Sequence, residues 1–254
     1  MSVRSFPAFR SSPWMGLLLG LVLIACGPEA IPVDSIAAAS SYQDPVLLAQ
    51  AWQQPVAATY RDHFENQING AFCGPATVIN LFRSLGIDDH TQNTLFDRAN
   101  VGYWKVRILG LTLDEMAQLI RANADLDVTV LRDLTLEEFR THLHRVKDPA
   151  YRYLINFNRQ PLFGVAIGHH SPIGGYLPEA DLVFVLDVLD QYQPFLAPAD
   201  RLYEAMNTVD PETGKKRGLL LVEATPPSTV STQVQTSDPD FALSPNRPSP
   251  KIAR

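Results

Sequence analysis

Apolar positions recur with the periods of helices and strands along residues 46–224, and the two ends of the chain lack such a period. About 180 residues are enough for one domain with a single buried core. Short runs that are apolar or rich in β-branched residues predict four strands. They are Tyr151–Phe157, Pro172–Tyr176, Leu182–Val188 and Gly218–Glu223.

Apolar residues also recur with helical spacing after Cys73, which predicts an amphipathic helix with Pro75 in its first turn and Gly86 as its stop. Two more helices are predicted at Thr112–Ala124 and Thr135–Val146. Each begins with a threonine followed three residues later by a glutamate, the pattern of a capping box.

The first 26 residues have the pattern of an export signal. Arg4 and Arg10 precede an apolar run, Trp14–Ile24, that is too short to span a membrane as a helix. The run ends in Leu-Ile-Ala-Cys, which resembles the lipobox of bacterial lipoproteins. An ordinary signal peptide with an incidental cysteine is the alternative. We expect residues 1–25 to be removed, Cys26 to carry lipid, and residues 26–45 to form a spacer on an exported, membrane-anchored protein that faces the periplasm.

The C-terminal residues 225–254 are rich in Pro, Ser and Thr, a composition that predicts disorder. The net charge of −6, the pI near 5.5 and the lack of basic runs argue against nucleic acid as a partner. No Walker loop, GxGxxG or CxxC motif occurs. No metal site is predicted, because the pair His142 and His144 is spaced so that the two rings diverge on a helix.

Cys73 would have no disulfide partner within the chain if Cys26 carries lipid, because the chain has two cysteines. A buried cysteine that packs as a small hydrophobe is one interpretation. Its position at a predicted helix N-terminus supports the other, a nucleophile, since the N–H groups and positive dipole end there stabilise a thiolate. Local context does not decide between the two.

A cysteine nucleophile needs a base, and the base needs an orienting group. Four of the six histidines are expected at solvated positions: His63 in a helix that ends at the cysteine loop, His90 in a polar turn, and His142 and His144. Antiparallel pairing across the Leu-Pro-Glu-Ala-Asp turn would bring His169 or His170 beside Asp187, an acid embedded in an apolar strand. Strand alternation sends the two histidines to opposite faces, so one of them can serve, and this pattern does not choose.

Five segments together resemble the phytochelatin synthase family, enzymes with a papain-like cysteine-protease fold that act on glutathione. The segments are FENQINGAFCGPAT, GLTLDEMAQLI, GHHSPIGGY, VLDV and EAMNTVDPETGKKRG, and they follow the order of the family over most of residues 45–222. The resemblance implies an α+β, two-lobe fold. A helical lobe would carry the cysteine at a helix N-terminus, packed on an antiparallel sheet lobe that carries the histidine and the aspartate.

The resemblance also implies roles for particular residues. The catalytic Cys, His and Asp of the family fall on Cys73, His169 and Asp187, which selects His169 over His170. The oxyanion-hole glutamine falls on Gln67, where an amide donor would stabilise the developing charge together with the Cys73 backbone N–H. Substrate contacts fall on Asn156, Gly168, Asp210 and Arg217. Arg217 would bind a substrate carboxylate through two parallel hydrogen bonds. Alternatively, it would form a structural ion pair with Asp210.

The implied reaction is attack of Cys73 on the Cys–Gly carbonyl of glutathione, with His169 protonating the departing glycine. The γ-glutamylcysteinyl thioester would then pass to another glutathione, giving phytochelatin, or to water. No intrinsic cofactor is expected. A divalent metal such as Cd or Zn would enter as a glutathione thiolate complex, which links the reaction to heavy-metal detoxification. A homodimer is compatible with these expectations.

Two departures from the family favour hydrolysis. Asp190 stands where the synthases typically have an arginine, and a negative charge should weaken binding of an anionic second glutathione. The Pro/Ser-rich tail stands where plant enzymes have a Cys-rich half. Two other hypotheses are compatible with the sequence. One is a papain-like peptidase for other peptides, and the other is a non-catalytic lipoprotein that binds glutathione–metal adducts.

Overall fold

Six strands form one antiparallel sheet in the computed structural model, which describes residues 40–224. The strand order is β1-β6-β2-β3-β4-β5, and together with the flanking helices it gives an α+β fold. The strands are β1 (Asp127–Leu131), β2 (Tyr151–Asn158), β3 (Gly168–Leu177), β4 (Leu182–Val185), β5 (Phe195–Pro198) and β6 (Gly218–Glu223).

The helices lie before, between and after these strands. They are α1 (Pro45–Trp52), α2 (Pro55–Arg61), α3 (Cys73–Ser84), α4 (Tyr103–Leu109), α5 (Leu113–Asn123), α6 (Leu136–Arg145), α7 (Gln160–Phe163) and α8 (Ala199–Met206). Three short 3-10 turns complete the described elements, at Ser40–Gln43, Thr94–Phe96 and Pro178–Ala180.

The capping boxes predicted for α5 and α6 are both present. Thr112 accepts from the backbone N–H of Glu115, and the Glu115 side chain accepts from the backbone of Thr112. Thr135 and Glu138 repeat this reciprocal pair. Each box satisfies two N–H groups that a helix start leaves without partners, so both predicted helices are confirmed.

Helix α3 is the central helix of the fold. All its residues are buried except Arg83, and the helix packs on β3. Gly86 follows the helix with φ of 77°, a left-handed conformation that glycine adopts without strain and that ends the helix. The burial of α3 along its whole length fixes where its first residue, Cys73, lies relative to the sheet.

The sheet separates two hydrophobic clusters. Along β2, Leu154 packs in one cluster, and its neighbours Tyr153 and Ile155 pack in the other. Leu220 and Leu219 divide in the same way on β6. This alternation follows from the period of two in a strand. Helices α3 and α5 cover one face, and helices α6 and α8 cover the other.

The strand predicted over Leu182–Val188 ends earlier than expected, at Val185, so that Asp187 lies just after the strand and not within it. The pairing of β3 with β4 shifts register between Ile173 and Gly175, where the chain has two glycines. Such a bulge bends the strand and ends regular pairing. The backbone nevertheless stays close, since Leu186 N donates to Pro172 O at 3.0 Å.

Two expectations about histidines are wrong. His63 lies beyond α2, which ends at Arg61, although the residue is exposed as expected. His90 is buried, not solvated, and its ring packs on Phe82 with centroids 5.5 Å apart. A polar local sequence did not reveal that this turn folds back onto the end of α3.

Several predictions concern segments outside the described residues: the leader, lipid attachment at Cys26, the first part of the spacer, and the tail at 225–254. Tyr42, which falls in the predicted spacer, is buried against the rings of Phe163 and Phe195. Between residues 40 and 224, no helix combines the length and the apolar content needed to cross a membrane.

Candidate active site

Cys73 is the first residue of α3 and a free cysteine, with a relative exposure of 7%. The residue before it, Phe72, makes no side-chain cap, so no side chain competes for the N–H groups at this helix start. Those groups and the helix dipole favour a negatively charged sulfur. The prediction that Cys73 lies at a helix N-terminus is therefore confirmed.

His169 faces Cys73 from the sheet, and Asp187 lies behind His169. His169 lies on β3 opposite Phe157 of β2, and Asp187 follows β4. His169 Nε2 lies 3.0 Å from Asp187 Oδ1, and both side chains are buried. Leu189 N also donates to Asp187 Oδ1 at 2.8 Å, which holds the carboxylate in place. The structure thus brings together the three residues of the predicted catalytic set.

The electrostatics of this set favour a thiolate–imidazolium pair. Burial acts to raise the pKa of the Cys73 thiol, but the charge and hydrogen bond of His169 outweigh it and lower that pKa. Burial and the charge of Arg159 act to lower the pKa of His169, yet Asp187 and Cys73 raise it above its ordinary value. A sulfur that loses its proton more easily beside an imidazole that holds one is the charge state of an activated cysteine.

His170 points the other way, as strand alternation requires. Its Nε2 lies 2.8 Å from Leu111 O and 2.7 Å from Asn156 Nδ2. Burial, more than any other factor, lowers the pKa of His170 to about 3, so the ring is neutral. The geometry therefore places His169, and not His170, beside Asp187.

A pocket of about 560 Å³ opens beside Cys73. Its lining comes from the segment before α3 with Cys73, from the end of α4 and the residues after it, from β2 and β3, and from the segment between α8 and β6. All four predicted substrate contacts lie in its wall: Asn156, Gly168, Asp210 and Arg217.

Arg217 is held in this wall by two partners. Its Nη1 donates to Asn156 Oδ1 at 2.9 Å and lies 3.4 Å from Asp210 Oδ2. The ion pair with Asp210, considered from the sequence as an alternative to substrate binding, is thus present. At 3.4 Å it is long for a charge-assisted hydrogen bond, which leaves both charges room to contact a ligand.

Gln67 precedes Cys73 in a half-buried loop outside the residues that line the pocket. Its Nε2 donates to Asn69 O at 2.8 Å, and its backbone N donates to Val188 O at 2.8 Å. The second bond ties the loop before Cys73 to the segment that carries Asp187. An amide nitrogen has two protons, and the contact to Asn69 uses one.

Arg159 belongs to the site and was not predicted from the sequence. Its side chain has no exposed surface, and its Nη2 donates to Asp187 Oδ1 at 2.9 Å. It lies in the loop between β2 and α7, where a single basic residue forms no recognisable sequence pattern. Only its place ten residues before His169, at the end of a buried strand, could have drawn attention to it.

Asp190 lies at the edge of the site, on the turn that follows Asp187. Its Oδ1 accepts from Asn66 Nδ2 at 3.0 Å and from Gln193 Nε2 at 2.9 Å. The carboxylate is therefore fixed next to the Gln67 loop. As for metal ligands, residues 40–224 contain no cluster of three or more His, Cys, Asp or Glu side chains placed to hold an ion.

A free cysteine at a helix start, with an imidazole and a carboxylate behind it and a pocket in front of it, is the arrangement of a cysteine-dependent acyl-transfer site. A family model described as phytochelatin synthase matches residues 28–219. The chain therefore belongs to the phytochelatin synthase family.

Curated relatives agree with this family. The chain is 31% identical to glutathione gamma-glutamylcysteinyltransferase 3 of Lotus japonicus, and the match covers 63% of this chain and 36% of that protein. It is 33% identical to glutathione gamma-glutamylcysteinyltransferase 1 of Triticum aestivum, over 63% of this chain and 34% of the relative. The match thus covers about a third of the length of these two relatives.

Among solved structures, the chain is similar to the peptidase domain of Streptococcus ComA. The two are 13% identical, with a TM-score of 0.43, and the match covers 64% of this chain and 100% of the other.

Proposed function

We propose that this chain cleaves the Cys–Gly bond of glutathione through a γ-glutamylcysteinyl thioester on Cys73. One observation carries the proposal. Cys73, with His169 and Asp187 behind it, lies in the wall of a pocket that also presents the opposite charges of Arg217 and Asp210. A nucleophile and a zwitterion-binding pair in one pocket match a substrate whose acyl end is a γ-linked glutamate.

The γ-glutamyl group carries a free α-carboxylate and a free α-ammonium. The Arg217 guanidinium would bind the carboxylate with its fork of donors, and Asp210 would bind the ammonium. Asn156 orients Arg217 through the 2.9 Å hydrogen bond between them. The pocket of about 560 Å³ lies within the usual size range of small-molecule sites.

The chemistry follows from the charge states at the site. The Cys73 thiolate attacks the carbonyl carbon of the Cys–Gly bond, and the carbonyl oxygen becomes an oxyanion. The free N–H of the Gln67 amide and the Cys73 backbone N–H would stabilise it. His169 then gives its proton to the departing glycine nitrogen, the thioester remains, and His169 becomes the base for the acceptor.

Water is the main acceptor in this proposal, which gives γ-Glu-Cys. Asp190 is fixed beside the Gln67 loop by Asn66 and Gln193, and its negative charge would oppose an anionic second glutathione. Chain extension to phytochelatin is then the minor reaction. Cadmium or zinc would enter as a glutathione thiolate complex, as substrate, which connects the enzyme to heavy-metal detoxification.

The wider setting is part of the same proposal. The helices that carry Cys73 and the sheet that carries His169 would form the two lobes of a papain-like fold, with the pocket between them. Lipid on Cys26 would hold the enzyme at the periplasmic face of a membrane. Assembly as a homodimer is compatible with this arrangement.

Product analysis with glutathione, with and without cadmium, tests the proposal. We expect γ-Glu-Cys and glycine as the main products, and no turnover by Cys73→Ala. Longer peptides as the dominant product would refute the preference for water, and full activity of the alanine variant would refute the cysteine mechanism.

The role of Asp190 has a separate test. Asp190→Arg should raise the ratio of phytochelatin to γ-Glu-Cys roughly fivefold, the effect of about 1 kcal/mol from a charge at the rim of a site. Asp125→Arg makes the same charge reversal at an exposed position after α5 and serves as the control. An equal change in both variants would show that overall charge, and not the local charge at residue 190, selects the acceptor.

A further inference from the structure

We infer that Arg159 is a positioning residue of this site. Its guanidinium keeps the Asp187 carboxylate charged and fixed behind His169, so that the imidazole stays directed at Cys73. The inference deepens the proposed function and rests on the proposed role of Cys73 as nucleophile.

Burial makes Arg159 unusual among the charged residues. Its side chain and that of Asp187 both have 0% exposure, and they form an ion pair with Nη2 2.9 Å from Oδ1 and 2.7 Å from Oδ2. A buried carboxylate is costly unless a cation or several donors compensate it. His169 and Leu189 N both approach Oδ1, whereas Oδ2 has its ionic contact with Arg159.

The surroundings of the guanidinium hold it against Asp187. Its Cζ lies 3.6 Å from the ring centroid of Tyr192, a stacking distance, and Phe157 and Phe163 flank it at 5.7 and 5.8 Å. Its Nε and Nη1 are buried without a hydrogen-bond partner within residues 40–224. In that same part of the chain, Asp187 is the one carboxylate that pairs with it. A guanidinium that is packed among aromatic rings and paired with one carboxylate can hold that carboxylate in position.

The charge of Arg159 acts on the pKa of all three members of the set. Burial raises the pKa of Asp187, but Arg159 and then His169 bring it below its usual value. The charge of Arg159 also acts to lower the pKa of both His169 and Cys73. Without this charge, the Cys73 thiol should therefore ionise at higher pH, and the His169 imidazolium should lose its proton at higher pH.

The other ionisable groups near the set do not supply this effect. Burial raises the pKa of Tyr192, so its phenol stays neutral, and His170 is neutral because its pKa is about 3. Arg217 also faces Cys73, but it is paired with Asp210 across the pocket. A shift in the titration of Cys73 on removal of Arg159 would thus report the charge of that guanidinium.

The test is the rate of iodoacetamide alkylation of Cys73 as a function of pH. The full chain with Cys26→Ser is used, so that Cys73 is the single thiol. We expect Arg159→Met to move the midpoint of the rate profile to higher pH and Arg159→Lys, which keeps the charge, to leave it in place. Glutathione turnover by the Met variant should lose about 10- to 100-fold in kcat, by analogy with the loss when the hydrogen-bond partner of a metal-bound histidine is removed. KM should change little, because Arg159 does not line the pocket.

Arg152 offers a matched control. It is also a buried arginine, but it bonds Ser84 and the carbonyls of Pro149 and Tyr151 and touches no residue of the set. Arg152→Met should lower the thermal midpoint of unfolding and leave the alkylation profile unshifted. If Arg159→Met does not fold, Arg159→Gln keeps a donor for Asp187, lacks the charge, and should show the same shift.

A folded Met or Gln variant with the wild-type alkylation midpoint would overturn the inference, and so would a Lys variant that shifts as far as the Met variant. The alkylation assay measures the ionisation of the Cys73 thiol in the absence of glutathione. If the shift occurs and no variant turns glutathione over, the positioning role stands and the proposed substrate is wrong.

Discussion

Gly168→Ala tests whether Arg217 binds substrate, because Gly168 lies directly under its guanidinium. A Cβ at this position would lie 2.7 Å from Arg217 Nη1 and 2.8 Å from Nη2. Ordinary contact begins at 3.4 Å, so the guanidinium would have to retreat by 0.7 Å. It cannot do so freely, since it is buried and bonded to Asn156 at 2.9 Å.

The expected result is weaker binding of glutathione with the catalytic set intact. A hydrogen bond to a charged group contributes about 1.5–3 kcal/mol, so losing the bond of Arg217 to the substrate carboxylate should cost about 10- to 150-fold in kcat/KM. Most of the loss should be a higher KM, because Cys73 and His169 do not depend on Arg217 for their positions.

Steady-state kinetics with glutathione measure this effect, and the pH profile of Cys73 alkylation checks that the thiol is unperturbed. Gly102→Ala is the control, because a Cβ there meets Lys105 Cβ at an ordinary 3.7 Å with φ of −73°. A Gly168→Ala variant with the wild-type KM would refute the assignment of Arg217 as the carboxylate site. A shifted alkylation profile would show instead that the methyl group disturbs the adjacent His169.

Two further predictions concern stability. Burial and Arg159 lower the pKa of His169, but Asp187 and Cys73 raise it overall, so its protonated form contributes stability that is fully present below the unfolded value of about 6.5 and is lost as pH rises through the folded pKa. The lowered pKa of Cys73 contributes in the opposite sense, with stability gained as pH rises, so a denaturant titration reports both groups together. An NMR titration of the His169 ring isolates the histidine and should give a midpoint above about 6.5, and a midpoint at or below that value would contradict the prediction. Thr112→Ala removes the cap of α5 and should cost about 1 kcal/mol, whereas an unchanged thermal midpoint would mean that the buried packing of α5 makes the cap redundant.

Features that depend on neighbours along the chain could be predicted from the sequence. A threonine and a glutamate three residues apart can bond each other wherever the helix lies, so the starts of α5 and α6 were predictable. Cys73 at a helix start followed from the apolar spacing and from Gly86, whose left-handed conformation ends the helix. The strand over Gly218–Glu223 was likewise readable from its apolar run.

Contacts between distant residues depend on how the whole chain folds. Residues 159 and 187 are 28 positions apart, and Asn156 and Arg217 are 61 apart. Whether such side chains meet depends on sheet order and on the bulge after Ile173, neither of which has a local pattern. Alternation alone could not say whether His169 or His170 faces Asp187, because the choice needs the register of three strands against α3. The ion pair behind the histidine is the clearest case, since a buried charge is stable only where the folded chain supplies its partner.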